Sequence, residues 1–467
     1  MADERVALAA HLMRRVGVGA SRDELEALAA RPYQEVVDEL LAPNDEPPPD
    51  MDTLDRYYPT SFSPDTPMMW ASRWIYSLAN SKNPLREKMA LFWHHVFATG
   101  WFKSEHAPAL VAQIDTFRAN GLNNLREILL DLSRDPAMIH WLDNSENHAH
   151  AVNENYGREL LELFSIGIGT YTETDVKMAA RAFTGWTFEQ PIPLYPYGGY
   201  GSKFAYDPDD HDDSEKTFLG HTGNLNGEDI IDIIVQQEAC ARFISRHLYN
   251  FFVADEPQVP AWSVTPPQDQ DAIDELVASY QQSDADLRAV MRTLLNSDFF
   301  KAARFKHVKS PTEFVGGAIK LAGAPTFPDP SVARLGDAAM VMGQKLMDPP
   351  SVEGWHTGKE WVDGGTLTER VNFAVEQMLD TSKPGVQSIV KRIGASGEPV
   401  APADFVERCL DLTGPIEASE ETKQTLQEFA ESEGALTFGS EDERSESEAR
   451  IGRMLQLIVA SPEYQFA

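Results

Sequence analysis

The segment Asn153–Gly169, NENYGRELLELFSIGIG, gathers three carboxylates, an arginine and two amides around an apolar stripe. On a helical wheel at about 100° per residue, Tyr156, Leu160, Leu161, Leu163 and Phe164 fill one apolar arc. Glu154, Arg158 and Glu162 stack on the opposite face at i, i+4 and i+8, with Asn155 and Glu159 beside them. Glu159 borders the apolar arc through Leu163, so folding should half-bury it. A carboxylate so placed keeps its proton to higher pH unless Arg158 or a metal ion compensates, which is one route to a general acid or base. The plainer reading is a solvated charge ladder, stabilising by only a few tenths of a kcal/mol per pair.

Two further segments carry titratable groups. In LREKMALFWHHVFAT, residues 85–99, Glu87, Lys88, His94 and His95 form a narrow polar stripe on an otherwise apolar helix. A buried histidine needs a partner, so His94 is either a satisfied core residue or a catalytic or metal-ligating one. Adjacent histidines on a helix diverge by about 100°, so His94 and His95 are not expected to share one metal. In YDPDDHDDSEKTFLG, residues 206–220, His211 sits among Asp207, Asp209, Asp210, Asp212 and Asp213, with Lys216 nearby. Neighbouring carboxylates raise a histidine's pKa and fix its tautomer, which suits proton transfer. The order of a calcium-binding EF-hand is absent there, and a solvated acidic loop is the simplest reading. His148 and His150 make an HxH pair, too little by itself to mark a metal site. No GxSxG elbow, phosphate-cradling glycine loop, HExxH or dinucleotide fingerprint occurs, which argues against the common hydrolase-fold, ATPase and zincin chemistries.

The elements that must position these groups read as helices. The expectation is a mainly α fold, a multi-helix array with long ordered loops and at most a short β-hairpin near 187–226. Residues 1–42 read as a helical hairpin, with Ser21 and Glu24 forming a capping box. A Pro/Asp-rich connector spans 43–67, where Pro47-Pro48-Pro49 cannot continue a helix. The helical core runs over 68–375, interrupted by the loop 186–226. Ser310-Pro311-Thr312-Glu313 is a second helix start. Residues 376–467 form a C-terminal helical segment whose acidic stretch, 417–448, is expected to be mobile, and the whole reads as one continuous domain. No repeat of fixed period is visible.

Bulk properties narrow the function classes. A chain of 467 residues with 42% hydrophobic residues and 10% aromatics is globular in composition. Mean hydropathy is −0.35 and no apolar run approaches the ~20 residues of a membrane span. The net charge of −33 repels phosphate backbones, so no nucleic acid is expected as a partner. Asp3 and Glu4 stand where a signal peptide carries positive charge, so the sequence as given reads as cytoplasmic, with export through a leader outside this sequence left open. Cys240 and Cys409 lack disulfide-framework or metal spacing and read as small buried hydrophobes.

Along nearly its whole length the sequence resembles a bacterial family known as domain of unknown function 1800. The resemblance is carried by HLMRRVGVGAS, LREKMALFWHHVFATG, DPAMIHWLDN and NENYGRELLELFSIGIGTYTETDVKMAARAFTGW. It continues through FAYDPDDHDDSEKTFLG, ARFISRHLYNFFV, SDADLRAVMRTLLNSDFF, KSPTEFV and MDPPSVEGW. The resemblance brings no activity with it, but its signature falls on Asn153, Glu154, Asn155, Tyr156, Arg158 and Glu159, and on His94, His211, Asp212 and Lys216. A solvated ladder does not account for that. His95 stands where the family pattern has asparagine, and Val18 where phenylalanine is common, which weakens any role built on both histidines. The resemblance also implies a partner from a neighbouring alkaline-phosphatase-like family.

The expected function is therefore acid/base hydrolysis of a glycan-like or other polar substrate by Glu154, Glu159, His94 and His211, with Arg158 orienting a carboxylate or an anionic group. Such carboxyl pairs stand ~5–10 Å apart across the scissile bond. Asn153, Asn155, Tyr156, Asp212, Lys216 and Trp186 are the expected substrate contacts, with Tyr195, Tyr197, Tyr200 and Phe204 as an aromatic platform. The cofactor is open, a divalent metal held by His94 and Glu159 being the variant considered. The alternative is a non-catalytic scaffold or partner protein whose NENYxREL helix is a buried structural polar network.

Overall fold

The chain's helices begin where its capping chemistry says they should. In the computed structural model, which describes residues 3–42, 56, 67–190, 201–325 and 329–467, the Ser21, Thr172, Asn226, Ser310 and Ser440 side chains each close a capping box. The element order is α1 (Glu4–Val16), α2 (Arg22–Ala29), α3 (Tyr33–Leu41), α4 (Pro67–Asn80), α5 (Pro84–Val96), α6 (Ala107–Asn120), α7 (Leu125–Ser133), α8 (Pro136–Trp141), α9 (Asn155–Glu162) and α10 (Glu173–Ala182). Two antiparallel hairpins follow, β1 (Trp186–Glu189) with β2 (Lys203–Tyr206), and β3 (Lys216–Phe218) with β4 (His221–Gly223). Then come α11 (Gly227–Val235), α12 (Glu238–Phe252), α13 (Gln270–Gln282), α14 (Leu287–Asn296), α15 (Pro311–Gly323) and α16 (Leu335–Val341). The chain closes with α17 (Gly364–Leu379), α18 (Pro384–Ile393), α19 (Pro402–Leu412), α20 (Glu420–Ser432) and α21 (Glu441–Ala460). Single helical turns lie at Trp101–Ser104 and Asp298–Lys301. The fold is mainly α, as expected, with the loop after Trp186 supplying two hairpins where one was anticipated. The acidic stretch expected to be mobile is folded as α20 and the first turns of α21. The connector 43–67 lies outside the described residues except for Arg56 and Pro67, and so do Tyr195, Tyr197 and Tyr200.

One apolar cluster runs from Leu12 to Tyr464. At its centre α5 is buried on almost every side, with Leu85, Met89, Phe92, Trp93 and Val96 packed among neighbouring helices. Its polar stripe is buried with them, so each charge must find a partner. Lys88 Nζ donates to the Gly17 carbonyl at 3.0 Å and pairs with Glu313 of α15. Glu87 pairs with Arg118 of α6 at 2.7 Å. Burial opposes the Glu313 charge, but Lys88 and His307 outweigh it and hold the carboxyl well below its usual range. These pairs fix how α1, α5, α6 and α15 meet.

The helix that carries the NENY motif lies against α10 at very short range. A Cβ on Gly157 would stand 2.8 Å from the Ala180 amide nitrogen and 3.1 Å from the Val176 carbonyl. Gly157→Ala is therefore expected to lower unfolding free energy by about 1–3 kcal/mol through overpacking. Urea denaturation checks this, and a change under about 0.5 kcal/mol would show that α9 and α10 can separate freely.

Candidate functional site

The two ends of α9 do different work, separated by about 10 Å of helix at 1.5 Å per residue. At the N-terminal end the asparagines fasten loop to loop. Asn153 Oδ1 accepts from the Asn155 amide at 3.0 Å, and its Nδ2 donates to the Asp143 carbonyl at 3.3 Å. Asn155 Nδ2 donates to the Leu142 carbonyl at 3.1 Å. Behind them Asn147 accepts from the Asn153 amide at 3.0 Å and donates to the Ala180 carbonyl at 2.8 Å. Asn144 donates to the carbonyls of Phe183 and Trp186 at 3.2 and 2.8 Å. Tyr156 is buried, edge-on to Phe183, and its hydroxyl meets Ser133 Oγ at 2.5 Å. Trp186 is likewise buried, with its indole N–H bonded to Asn226 at 2.9 Å. Sequence reasoning passed over Asn144 and Asn147, although Asn144 stands in the DPAMIHWLDN motif.

The acidic loop forms a knot at this same end. His211 is buried, and its Nδ1 lies 2.8 Å from the Thr184 carbonyl. Asp212 takes Arg181 of α10 at 2.7 Å and is driven well below the usual carboxylate range by hydrogen bonds from Arg181 and Ser214 that outweigh burial. Lys216, only 1% exposed, donates to the Asp212 and Ser214 carbonyls. Asp210 holds His148 at 2.5 Å, which raises the His148 pKa. Gly185, at φ 76°, makes the turn possible: a Cβ would stand 2.4 Å from the Asp207 carbonyl.

His94 is a satisfied core histidine on one side. Its Nε2 accepts the Met347 amide at 2.9 Å, and its ring lies between Trp74 and Trp355 at 5.6 and 5.3 Å. Burial pushes its pKa down to about 3, so it is neutral. His95 is less enclosed and stacks on Trp355 at 6.4 Å, beside the Glu353-Gly354 turn. Burial, followed by repulsion from His307, lowers its pKa to about 4.

The C-terminal end of α9 opens into a cleft of about 390 Å³. One wall is Glu162, Leu163 and the turn Ile166–Thr170, the other Phe243, Trp262 and Pro266-Pro267, with Glu353 at the rim. Arg246 braces Trp262 from 4.6 Å while paired to the buried Glu256 at 2.6 Å. His247 packs against both Phe243 and Trp262 at 4.6 Å. Glu159, half-buried one turn before Leu163, has its pKa raised to about 7 by burial and then by the charges of Glu162 and Glu353. Arg158 lowers that pKa without outweighing them, its two terminal nitrogens being bonded to Glu173 at 2.9 and 2.7 Å, with Glu154 at 3.4 Å. Of the ladder, the Glu154–Arg158 step is present at 3.4 Å, while Glu162 accepts from the Tyr171 hydroxyl at 3.1 Å.

Among the described residues, no hydrogen bond, ion pair or ring contact joins any two of Glu154, Glu159, His94 and His211. What comes together instead is Glu162 and Glu353 on the cleft, with Glu159 within electrostatic reach of both, and His247 packed against the lining residues Phe243 and Trp262. Glu353, Phe243 and Trp262 were missed, although Glu353 stands in MDPPSVEGW and Phe243 in ARFISRHLYNFFV. Among the described residues no group of three or more His, Cys, Asp or Glu is placed to hold a metal ion, and no helix is long and apolar enough to cross a membrane.

Comparison with known proteins follows the motifs. No curated protein and no solved structure matches the chain. One family model does, over residues 11–466, which takes in every segment of the site just described. The chain therefore belongs to the DUF1800 family, described as "Protein of unknown function (DUF1800)".

Proposed function

We propose that the cleft at the C-terminal end of α9 is an acid/base site for hydrolysis of a glycan-like polar substrate, with Glu159 as the proton donor. The observation that carries this reading is a half-buried Glu159 one turn before the cleft, within electrostatic reach of Glu162 and Glu353, which line the cleft together with Phe243 and Trp262. Aromatic faces suit the apolar faces of sugar rings, and carboxyls on one cleft suit cleavage of the bond between rings. In the step proposed, Glu159 gives its proton to the leaving oxygen as the C–O bond breaks. A second carboxylate, Glu162 or Glu353, accepts a proton from the attacking water. Glu162 is already bonded to the Tyr171 hydroxyl at 3.1 Å, while Glu353 is exposed at the rim and is the freer base. The asparagine network favours the scaffold reading for the other end of α9 alone: it positions the helix and leaves the chemistry to the cleft.

The experiment is incubation of the full chain with a panel of reducing-end-labelled oligosaccharides, α- and β-linked, followed by mass spectrometry of the products. Release of shorter oligomers from at least one class is the expected result. If every oligosaccharide stays intact and none quenches tryptophan fluorescence, the glycan reading is wrong.

A further inference from the structure

A second, much smaller cavity of about 50 Å³ lies among α1, α15 and the Thr413-Gly414 turn. It has room for about three to five water-sized groups, since ~10–15 Å³ of such space holds one water, and that matches a compact group of five heavy atoms. In a chain of net charge −33, none of its lining residues is acidic, and three are basic: Arg14, Lys309 and Lys320. Buried charges are normally paired, yet neither Lys309 nor the half-buried Arg14 makes an ion pair, Glu313 and Glu417 acting on them only from a distance. Lys309 is 7% exposed, with Nζ donating only to the Tyr464 carbonyl at 2.7 Å and lying 4.1 Å above the Tyr464 ring. Arg14 donates through one terminal nitrogen to the Gly414 carbonyl at 2.6 Å and lies 4.6 Å over Phe305, but its Nε is buried without a partner. Lys320 stands at the rim, tethered to Glu24 of α2 at 3.2 Å, and is 20% exposed.

We propose that this cavity binds a small inorganic oxyanion of the phosphate or sulfate class, held by Lys309, Arg14 Nε and Lys320. An oxyanion answers each unmet group at once. It accepts from the orphaned Arg14 N–H, gives Lys309 a directly bonded counter-charge, and takes further hydrogen bonds through its other oxygens. Burial, then repulsion from Arg14 and Arg370, outweighs Glu313 and holds the Lys309 pKa well below its usual value, and a bound anion would offset that repulsion. The small lining residues Gly19 and Gly317 leave room for it. The anion would join α1 to α15 and to the C-terminal helices, locking the N-terminus of the chain onto its end.

The test is calorimetric titration of the full chain with inorganic phosphate, then with sulfate, each against sodium chloride at matched ionic strength. One saturable site per chain is expected for the oxyanions and none for chloride. A phosphate-only response identifies phosphate as the ligand, and equal responses identify the shared tetrahedral class. Lys320→Ala, at the rim and compatible with folding, is expected to weaken binding about tenfold, as loss of one charge-assisted hydrogen bond does. Lys309→Met should weaken it further, and the exposed remote Lys359→Ala should leave it unchanged. Heats no larger than those of chloride, or binding indifferent to Lys320→Ala, would overturn the proposal.

Discussion

Lys88→Met is expected to lower unfolding free energy by about 3–5 kcal/mol, because it leaves Glu313 buried with its main counter-charge removed. Lys88 is 0% exposed and Glu313 4%, so solvent cannot take over the neutralisation. His307 and Arg15 remain near Glu313, but the Arg15 guanidinium is already committed to the Phe251 and Phe252 carbonyls at 2.8 and 2.9 Å. The double variant Lys88→Met/Glu313→Gln should recover part of the loss, since it removes the stranded charge as well as the pair. Denaturant unfolding of the two variants measures both effects. A loss under about 1 kcal/mol for Lys88→Met would mean that Glu313 takes up a proton or reaches water.

Glu159→Gln is expected to act on both activity and stability, in opposite senses. On an oligosaccharide that the chain cleaves, turnover should fall by about 10²–10⁴-fold, the usual contribution of a general acid. The stability effect follows from linkage. The Glu159 pKa is about 7 in the folded chain against an ordinary value of 4.5, so the folded state binds more protons between those values. Its contribution is therefore fully favourable below pH 4.5 and is lost as pH rises through 7. For a half-buried group, screened by solvent, the loss is roughly 1–2 kcal/mol. Glu159→Gln removes that dependence, so the variant should be more stable than the parent at pH 8 and no more stable at pH 4. Melting temperatures across this range check it, and parallel curves for the two proteins would contradict it. A residue whose replacement stabilises the fold while abolishing turnover is held in place by function.

The helices were legible because their signals are local. Ser21 and Ser310 announce helix starts through groups three residues apart, and the structure uses both. The half-burial of Glu159 was legible for the same reason: its place beside Leu163 on a wheel needs no tertiary information. The polar stripe of α5 could be seen, but its partners could not, since Glu313 is 225 residues from Lys88. The same limit hid what surrounds the expected site residues. His94 read as either a core or a functional histidine, and the Met347 amide that its Nε2 accepts lies too far along the chain for spacing to reveal. Glu353 gave no periodic signal because it lies in a loop, where direction is set by packing and not by spacing. The His211 loop read as proton-transfer chemistry because aspartates surround the histidine in sequence. In space the Asp212 carboxylate faces Arg181, and the His211 ring meets the Thr184 carbonyl.

The proton on Glu159 is the point on which the account turns. Carbon-13 NMR of the glutamate side-chain carboxyls, titrated from pH 4 to pH 9, follows it directly, with Glu159→Gln giving the assignment. The account predicts one resonance with a midpoint near 7, absent from the variant and shifted when Glu353 is replaced by glutamine. If every glutamate titrates below about pH 5, as exposed carboxylates do, Glu159 is an ordinary surface charge and the cleft has no acid.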